Sequence, residues 1–310
     1  MLLSIVICTF NRASKITACL DSVHASLKHA GQLNSEIVII NNNSNDNTIE
    51  VVSQWAKSSD FPTNLTTEEE QGIAWARNKS FLTAKGKLLI SIDDDCTMHV
   101  DYIKNVLNAY KDDQEPILRF GQLDLGNIND WPMTTQTRPY IKKWKLDNPD
   151  YDYITMGNIC SANMIIPRAI IDDVGLYDTR FGTKEIPGGE DADFGFRAFH
   201  AGYLMEYRPE IIAYHYHGRN TKRQVKKIIK NYSIAAGALF TKHHLRHPRL
   251  MGIFDRRNTE TDIESKYQDD IRLHIIQKYH KTYKVFYIQG LIMFIWLTLK
   301  QFMNNSSNEQ

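Results

Sequence analysis

The chain has 310 residues, 37 Lys and Arg against 36 Asp and Glu, a formal net charge of +1 and 42% apolar residues. With 16 Gly, 9 Pro and no charge imbalance it is neither collagen-like nor disordered, and it lacks the several long apolar runs of a polytopic membrane protein. The four cysteines, Cys8, Cys19, Cys96 and Cys160, have no paired spacing, which excludes a zinc ribbon or disulfide framework and fits a reducing compartment. The chain enters an apolar run, Leu2 to Cys8, with no charged region or cleavage site before it, so a cytoplasmic protein is expected.

Short apolar runs alternate with helix-length segments over the first hundred residues. The runs Leu3 to Ile7, Glu36 to Ile40 and Lys87 to Ile92 read as strands buried on both faces. The segments Ala13 to His29, Asp46 to Lys57 and Gly72 to Ala84 read as helices, the last with Ile73, Ala76, Phe81 and Ala84 on one stripe. This alternation predicts an α/β fold, a mostly parallel sheet flanked by helices. Ligands of such sheets bind beyond the carboxyl ends of the strands. Those ends carry Thr9-Phe10-Asn11-Arg12, Asn41 to Asp46, and Asp93-Asp94-Asp95.

Three adjacent carboxylates after a buried strand repel one another unless a cation neutralises them. A hard divalent ion with a substrate diphosphate is the economical reading, and a solvated loop whose last Asp caps a helix near His99 is the plain one. A second constellation, Gly188-Gly189-Glu190-Asp191-Ala192-Asp193, leads into a helix with Phe194, Ala198 and Ala201 at helical spacing. Glycines let the backbone approach a ligand, and a carboxylate beside them can take a proton; acids in a first helical turn also complement the helix dipole. Asp46 reads as a helix N-cap rather than a ligand. No Walker loop, GxGxxG, HExxH or GxSxG motif is present.

Taken in order, Ser4 to Arg12, Ile39 to Asp46, Gly72 to Asn78, Ile92 to Asp95 and Gly188 to Asp193 resemble a family 2 glycosyltransferase of the GT-A fold, over about residues 1 to 217. The resemblance implies an inverting transferase with a divalent cation, Mn2+ or Mg2+, and a nucleotide diphosphate sugar as donor, a UDP-sugar first. It places Thr9 and Arg12 near the nucleotide, Arg77 near the base or phosphates, Asp93 near the ribose or metal, Asp94 in the donor site, Asp95 on the metal, and Asp191 as the base. Asn41 stands where the family usually has Asp against the nucleotide base; an amide can both donate and accept, so uracil still fits there. His215 and His217 follow a strand-like run and lie where related enzymes supply a histidine to the metal or diphosphate. His215 is preferred, although alternate residues on a strand share one face. The expected halves are a nucleotide-binding one, about 1–115, and an acceptor-binding one, about 116–217. A sugar-nucleotide nucleotidyltransferase and a non-catalytic glycan- or membrane-binding scaffold are the alternatives.

Beyond Gly218 the character changes. Ile211 to Phe254 holds nine Lys or Arg and no Asp or Glu, so the near-neutral total conceals an acidic remainder. Val225, Ile228, Ile229, Tyr232, Ala236 and Leu239 form one helical stripe with lysines around the rest, the pattern of a helix on an anionic membrane or of one packed on its own domain. His243, His244 and His247 sit among basic residues and read as surface rather than a zinc site. Val285 to Leu299 is apolar nearly all round; as a helix it covers about 22 Å, short of the roughly 30 Å hydrocarbon core, which favours an interfacial or re-entrant helix or a buried contact. The region 218–303 is therefore expected to be a helical extension attaching the enzyme to the inner face of the cell membrane, where a lipid-linked or glycan acceptor would meet it. No nucleic-acid-binding motif accompanies the basic charge. The polar tail Asn304 to Gln310 is expected to be disordered.

Overall fold

The computed structural model describes residues 3–31, 34–146, 148, 150–151, 154–244, 266–282 and 284–308. The three apolar runs form strands β1 (Leu3–Thr9), β2 (Ser35–Asn41) and β4 (Leu88–Ile92), and the segments between them form helices α1 (Ile16–His29), α2 (Thr48–Lys57) and α3 (Ile73–Thr83). A further strand, β3 (Thr63–Thr67), was not expected. It carries one apolar residue and lies at the sheet edge beside β2, where β-branched threonines suit a half-exposed surface.

Beyond β4 come β5 (Cys96–Met98), α4 (Tyr102–Tyr110), β6 (Ile117–Leu125), β7 (Lys142–Trp144), β8 (Asn163–Pro167), α5 (Arg168–Val174), α6 (Glu190–His200) and β9 (Leu204–His215). Among the described residues these strands form a nine-stranded sheet ordered β3-β2-β1-β4-β8-β6-β9-β5, with β7 paired to β9. Pairing is parallel throughout β3-β2-β1-β4, as the alternation implies. The second half is mixed: β8 runs antiparallel to β4 and β6, β9 runs parallel to β6, and β5 and β7 run antiparallel to β9. In this half β8 is antiparallel to both of its neighbours, while β9 comes back parallel to β6 after α5 and α6.

Because alternate residues of a strand face opposite ways, each buried strand feeds two cores. Leu3, Ile5, Ile7, Ile37 and Ile39 pack with residues of α1 and α4 on one face. Val6, Val38 and Ile40 share the other core with Phe81 of α3 and Phe194 and Phe199 of α6. Among the described residues three helices follow: α7 (Lys222–His244), α8 (Ile271–Thr282) and α9 (Lys284–Asn308). Ala235, Ala238, Leu239 and Phe294 join the α6 side of the core, so α7 and α9 are packed onto the catalytic half. Helix α9 is longer than its apolar stretch suggests and continues past Asn304, where a disordered tail was expected, to Asn308.

Charge is buried in the frame as well. Arg119 on β6 donates to Glu206 on β9 at 2.5 Å and to Asp113 at 2.7 Å, with Arg208 donating to Glu206 at 2.7 Å. Burial raises the Glu206 carboxyl, but the bonds and charge of Arg119 and Arg208 outweigh it and hold the group below its ordinary range. A lowered folded value adds stability above the unfolded value of about 4.3, and that contribution is lost as pH falls through the folded value. Glu206→Gln should cost about 3–5 kcal/mol at neutral pH, with the deficit against the parent shrinking below about pH 4. Urea unfolding at both pH values checks this, and an equal deficit at both would contradict it.

Candidate active site

Thr9 and Asn41 end β1 and β2 and lie directly opposite in the parallel register, while Asp93-Asp94-Asp95 follows β4. The loops leaving β1 and β2 are laced together. Asn42 N–H donates to the Thr9 carbonyl at 2.8 Å, and Asn11 N–H to Ser44 Oγ at 2.9 Å. The Asn45 amide returns to Asn11 Oδ1 at 2.9 Å. Asp46 accepts from Thr48 N at 3.0 Å and from Ala13 N at 3.2 Å, whereas the N-cap position of α2 is Asn47. Asp46 therefore ties the two loops together from just outside the helix instead of capping it from the expected position.

The chain's own cations relieve much of the repulsion within the acidic triplet. Arg12 donates through Nε to Asp94 at 3.1 Å and through Nη2 to Asp95 at 3.0 Å. Arg77 donates through Nη2 to Asp93 at 3.2 Å and through Nη1 to Glu190. His215 Nε2 lies 3.2 Å from Asp95. Burial pushes the Asp94 carboxyl up to about 6, with Arg12 partly offsetting it. Burial also acts on Asp95, but His215, Arg12 and Arg219 outweigh it and bring the group down to about 2.

The long β9 strand brings His215 to the triplet, because its pairing with β5 sets His215 directly opposite Cys96, the residue after Asp95. Ligand atoms of Asp95, Cys96 and His215 lie within 4.8 Å of one another. Burial pushes the Cys96 thiol up and makes it a poor thiolate donor, leaving an oxygen and an imidazole nitrogen as the natural pair. Their 3.2 Å separation matches adjacent ligands of an octahedral ion with bonds of about 2.1 Å, so the residues fit a divalent cation. Asp93, the other expected ligand, turns to Arg77.

His217 is placed differently from His215. Its side chain is wholly buried, and its Nδ1 accepts from Arg219 N at 3.0 Å, which puts the proton of the neutral ring on Nε2. Burial first, then His215 and Arg219, lower this imidazole to about 4. His217 Nε2 and Arg219 Nη1 are both buried donors without a partner, and so is Asn41 Nδ2 at the end of β2. Unsatisfied buried donors are costly, and here they accumulate around the strand ends where an anionic or acceptor-rich ligand would sit.

The glycine turn opens α6. Glu190 is buried, and its carboxyl is pushed up by burial and by neighbouring Asp191, against the pull of Arg77, which stays protonated. Asp193 pairs with Lys242, His243 and Arg197. Asp191 differs from both. It is part-exposed and accepts from Ser161 N at 3.2 Å, Ser161 Oγ at 3.4 Å and Ala192 N at 2.8 Å, and among the described residues no cation pairs with it. Glu190 lies within the Gly188 to Asp193 segment and joins the site beside Asp191, while Ser161 and Arg219 stand in no sequence pattern that marks them. His243 belongs to this ion-pair cluster and not to the basic surface expected of it; the His244 side chain and His247 lie outside the described residues.

Arg77 thus joins α3 to the α6 turn. Removing it leaves Glu190 a buried charge without a partner, so Arg77→Met should destabilise the fold by about 3–5 kcal/mol. Adding Glu190→Gln to that variant should recover part of the loss in urea unfolding, because a neutral amide is cheaper to bury. Equal stability of the single and double variants would remove the buried charge as the cause.

The family model described as Glycosyl transferase family 2 matches residues 4–175, which includes Thr9, Arg12, Asn41, Arg77 and the acidic triplet and stops short of Asp191 and His215. Glycosyltransferase AglE of Haloferax volcanii is 22% identical over 213 residues, covering 68% of this chain and 66% of its own length. A dolichyl N-acetyl-alpha-D-glucosaminyl phosphate 3-beta-D-2,3-diacetamido-2,3-dideoxy-beta-D-glucuronosyltransferase of Methanococcus voltae is 26% identical over 250 residues, covering 77% and 74%. In fold, the chain is similar to the mannosyltransferase PcManGT from Pyrobaculum calidifontis in complex with GDP-Man and Mn2+, with TM-score 0.60 and 15% identity over 95% of this chain and 87% of that one. It is also similar to S. aureus TarS 1–349, with TM-score 0.57 and 14% identity over 94% and 81%. With the family motifs matched over more than half of its length and its sheet shared with these enzymes, the chain belongs to glycosyl transferase family 2 and is a glycosyltransferase of the GT-A fold.

Proposed function

We propose that the protein transfers a sugar, with inversion, from a UDP-sugar to a hydroxyl of a glycan or lipid-linked acceptor, with Mn2+ or Mg2+ as cofactor. It would do so on the inner face of the cell membrane. The observation that carries the reading is the division of labour among the carboxylates of the turn: Glu190 and Asp193 are neutralised by cations, and Asp191 is left accessible without one. An alcohol is a poor nucleophile near neutral pH, and a positioned carboxylate contributes roughly a hundred- to ten-thousand-fold by taking its proton. Asp191, steadied by the Ser161 amide and hydroxyl, would accept that proton as the acceptor oxygen attacks the anomeric carbon and the bond to the diphosphate breaks.

The donor half, about 1–115, would hold the nucleotide across Thr9, Asn41 and Arg12, and the half at about 116–217 the acceptor. Asn41 Nδ2, a buried donor without a partner, suits a carbonyl oxygen of uracil. A cation on Asp95 and His215, with Asp93 nearby, would act as a Lewis acid on the leaving diphosphate. Asp191→Asn should lower transfer by at least about a hundredfold while Mn2+-dependent UDP binding by calorimetry stays within about twofold. An unchanged rate would remove Asp191 as the base.

Membrane attachment is supported by α9. Val285, Ile288, Ile292, Ile295, Leu299 and Phe302 are all exposed and recur at alternating steps of three and four, which is one apolar stripe facing away from the protein. The stretch Val285–Met303 has 19 residues and mean hydropathy 1.4, with 11% of it buried, so it is long enough to approach a full span instead of falling short. On the first turns of α7, Lys222, Arg223, Lys226 and Lys227 are exposed, and Lys230 lies 4.7 Å over the Phe286 ring, so the basic end of α7 adjoins the start of the stripe. Each such cation near an anionic leaflet adds about 1 kcal/mol. Phosphatidylserine vesicles should float the full chain at low salt, and Ile288→Glu with Ile292→Glu should abolish flotation. A chain that stays unbound, with α9 holding two copies together in solution, would contradict attachment.

A further inference from the structure

The catalytic turn has little of its own to hold it. Gly189, the N-cap of α6, has φ 87 and gives no side-chain cap, and the chain before it runs as turns and bends from Leu176 to Gly188. Besides the Arg77–Glu190 pair and the Ser161 bonds to Asp191, the contacts that hold this turn come from α7. A Cβ built on Gly189 would lie 3.1 Å from Ala235 Cβ and 3.4 Å from Leu239 Cδ1, so α7 rests on the glycine backbone itself. One helical turn further along α7, Lys242 Nζ and His243 Nε2 lie 2.6 and 2.9 Å from Asp193 Oδ1. Asp193 sits two residues after Asp191 in the same turn of α6 and is 0% exposed. A buried carboxylate is tolerated when it is paired, and two of its three side-chain partners belong to the extension.

Helix α7 is in turn held by α9 at a crossing only glycines allow. A Cβ on Gly237 would be 2.0 Å from the Tyr287 carbonyl oxygen, and one on Gly290 would be 1.9 Å from that of Ile234. The bracing closes on itself through the loop before the turn. Lys242 also reaches Asp178 at 2.6 Å, Arg180 grips Asp178, and Arg180 Nη1 donates to Thr298 Oγ1 of α9 at 2.9 Å. Phe181 of the same loop packs on Phe294 of α9, with ring centroids 5.6 Å apart.

We propose that α7 and α9 position the catalytic turn, with Lys242 and His243 acting through Asp193 as positioning residues for Asp191, so that the extension is part of the active site's geometry as well as its attachment. The inference rests on Asp191 being the base. It separates binding from chemistry: Thr9, Arg12, Asn41 and the acidic triplet follow β1, β2 and β4, whereas Asp191 rides on the helix that Lys242 and His243 hold through Asp193. Misplacing a catalytic group by about 1 Å can cost about a hundredfold.

The test compares His243→Leu, His243→Gln and Gly237→Ala in the full chain, with Asp191→Asn alongside. The readouts are kcat and KM for the donor and the Mn2+-dependent affinity for UDP. His243→Leu should lower kcat about 10- to 100-fold with donor KM and UDP affinity within about twofold, while His243→Gln, whose amide still donates to Asp193, should recover most of the rate. Gly237→Ala forces α9 off α7 without touching a charge and should show the same kcat loss, which keeps the test open if His243→Leu does not fold. Full kcat in folded His243→Leu or folded Gly237→Ala would overturn the proposal, as would parallel losses of kcat and UDP affinity. A rate retained by Asp191→Asn would instead overturn the base assignment, whatever the α7 variants do.

Discussion

Arg77 is the interaction on which the site depends. It projects from α3, is itself buried, and holds Asp93 after β4 with one arm and Glu190 at the start of α6 with the other. Carboxylates nearly a hundred positions apart in the chain are thereby held by one side chain. An arginine suits this place because its planar fork serves two carboxylates at once and it stays protonated when buried. The cation and the carboxylates require each other: without Arg77 the buried Glu190 would lose its partner, and without the two acids the guanidinium would be a buried charge of its own.

A site built this way is held ready for its ligands. Arg12 and Arg77 neutralise most of the triplet within the protein, and His215 adds a nitrogen beside Asp95. Buried donors without partners remain at His217, Arg219 and Asn41, and they suit a ligand that brings oxygen acceptors, with negative charge near His217 and Arg219. A nucleoside diphosphate carries both.

Much of this was legible before the fold was known, for a physical reason in each case. The strands β1, β2 and β4 are buried on both faces and so appear as unbroken apolar runs, and the residues that end them mark where a parallel sheet opens to ligands. The edge strand β3 was illegible because threonines carry no apolar signal, and the antiparallel second half because its order depends on long-range pairing. The choice of His215 over His217 rests on β9 pairing with β5, which no local pattern encodes. The helix α3 shows the limit from the other side: its apolar stripe is visible, but Arg77 and Asn78 are buried too, because the polar partners that admit them, Glu190 and Tyr177, come from distant segments. Likewise nothing local to His243 reveals that Asp193 of α6 is its partner.

The hidden charge asymmetry of the chain takes on a structural meaning here. The acidic triplet lies at the end of β4, and α7, within the basic part, touches the turn before α6 and exposes its first turns next to the apolar stripe of α9. The central claim is that the strand ends form a cation-dependent nucleoside diphosphate site. It is tested most directly by thermal unfolding of the full chain with UDP, GDP, CDP and ADP, each with and without Mn2+. UDP with Mn2+ together should raise Tm well beyond either alone. The claim is contradicted if no nucleotide shifts Tm, or if the shift is the same without the cation.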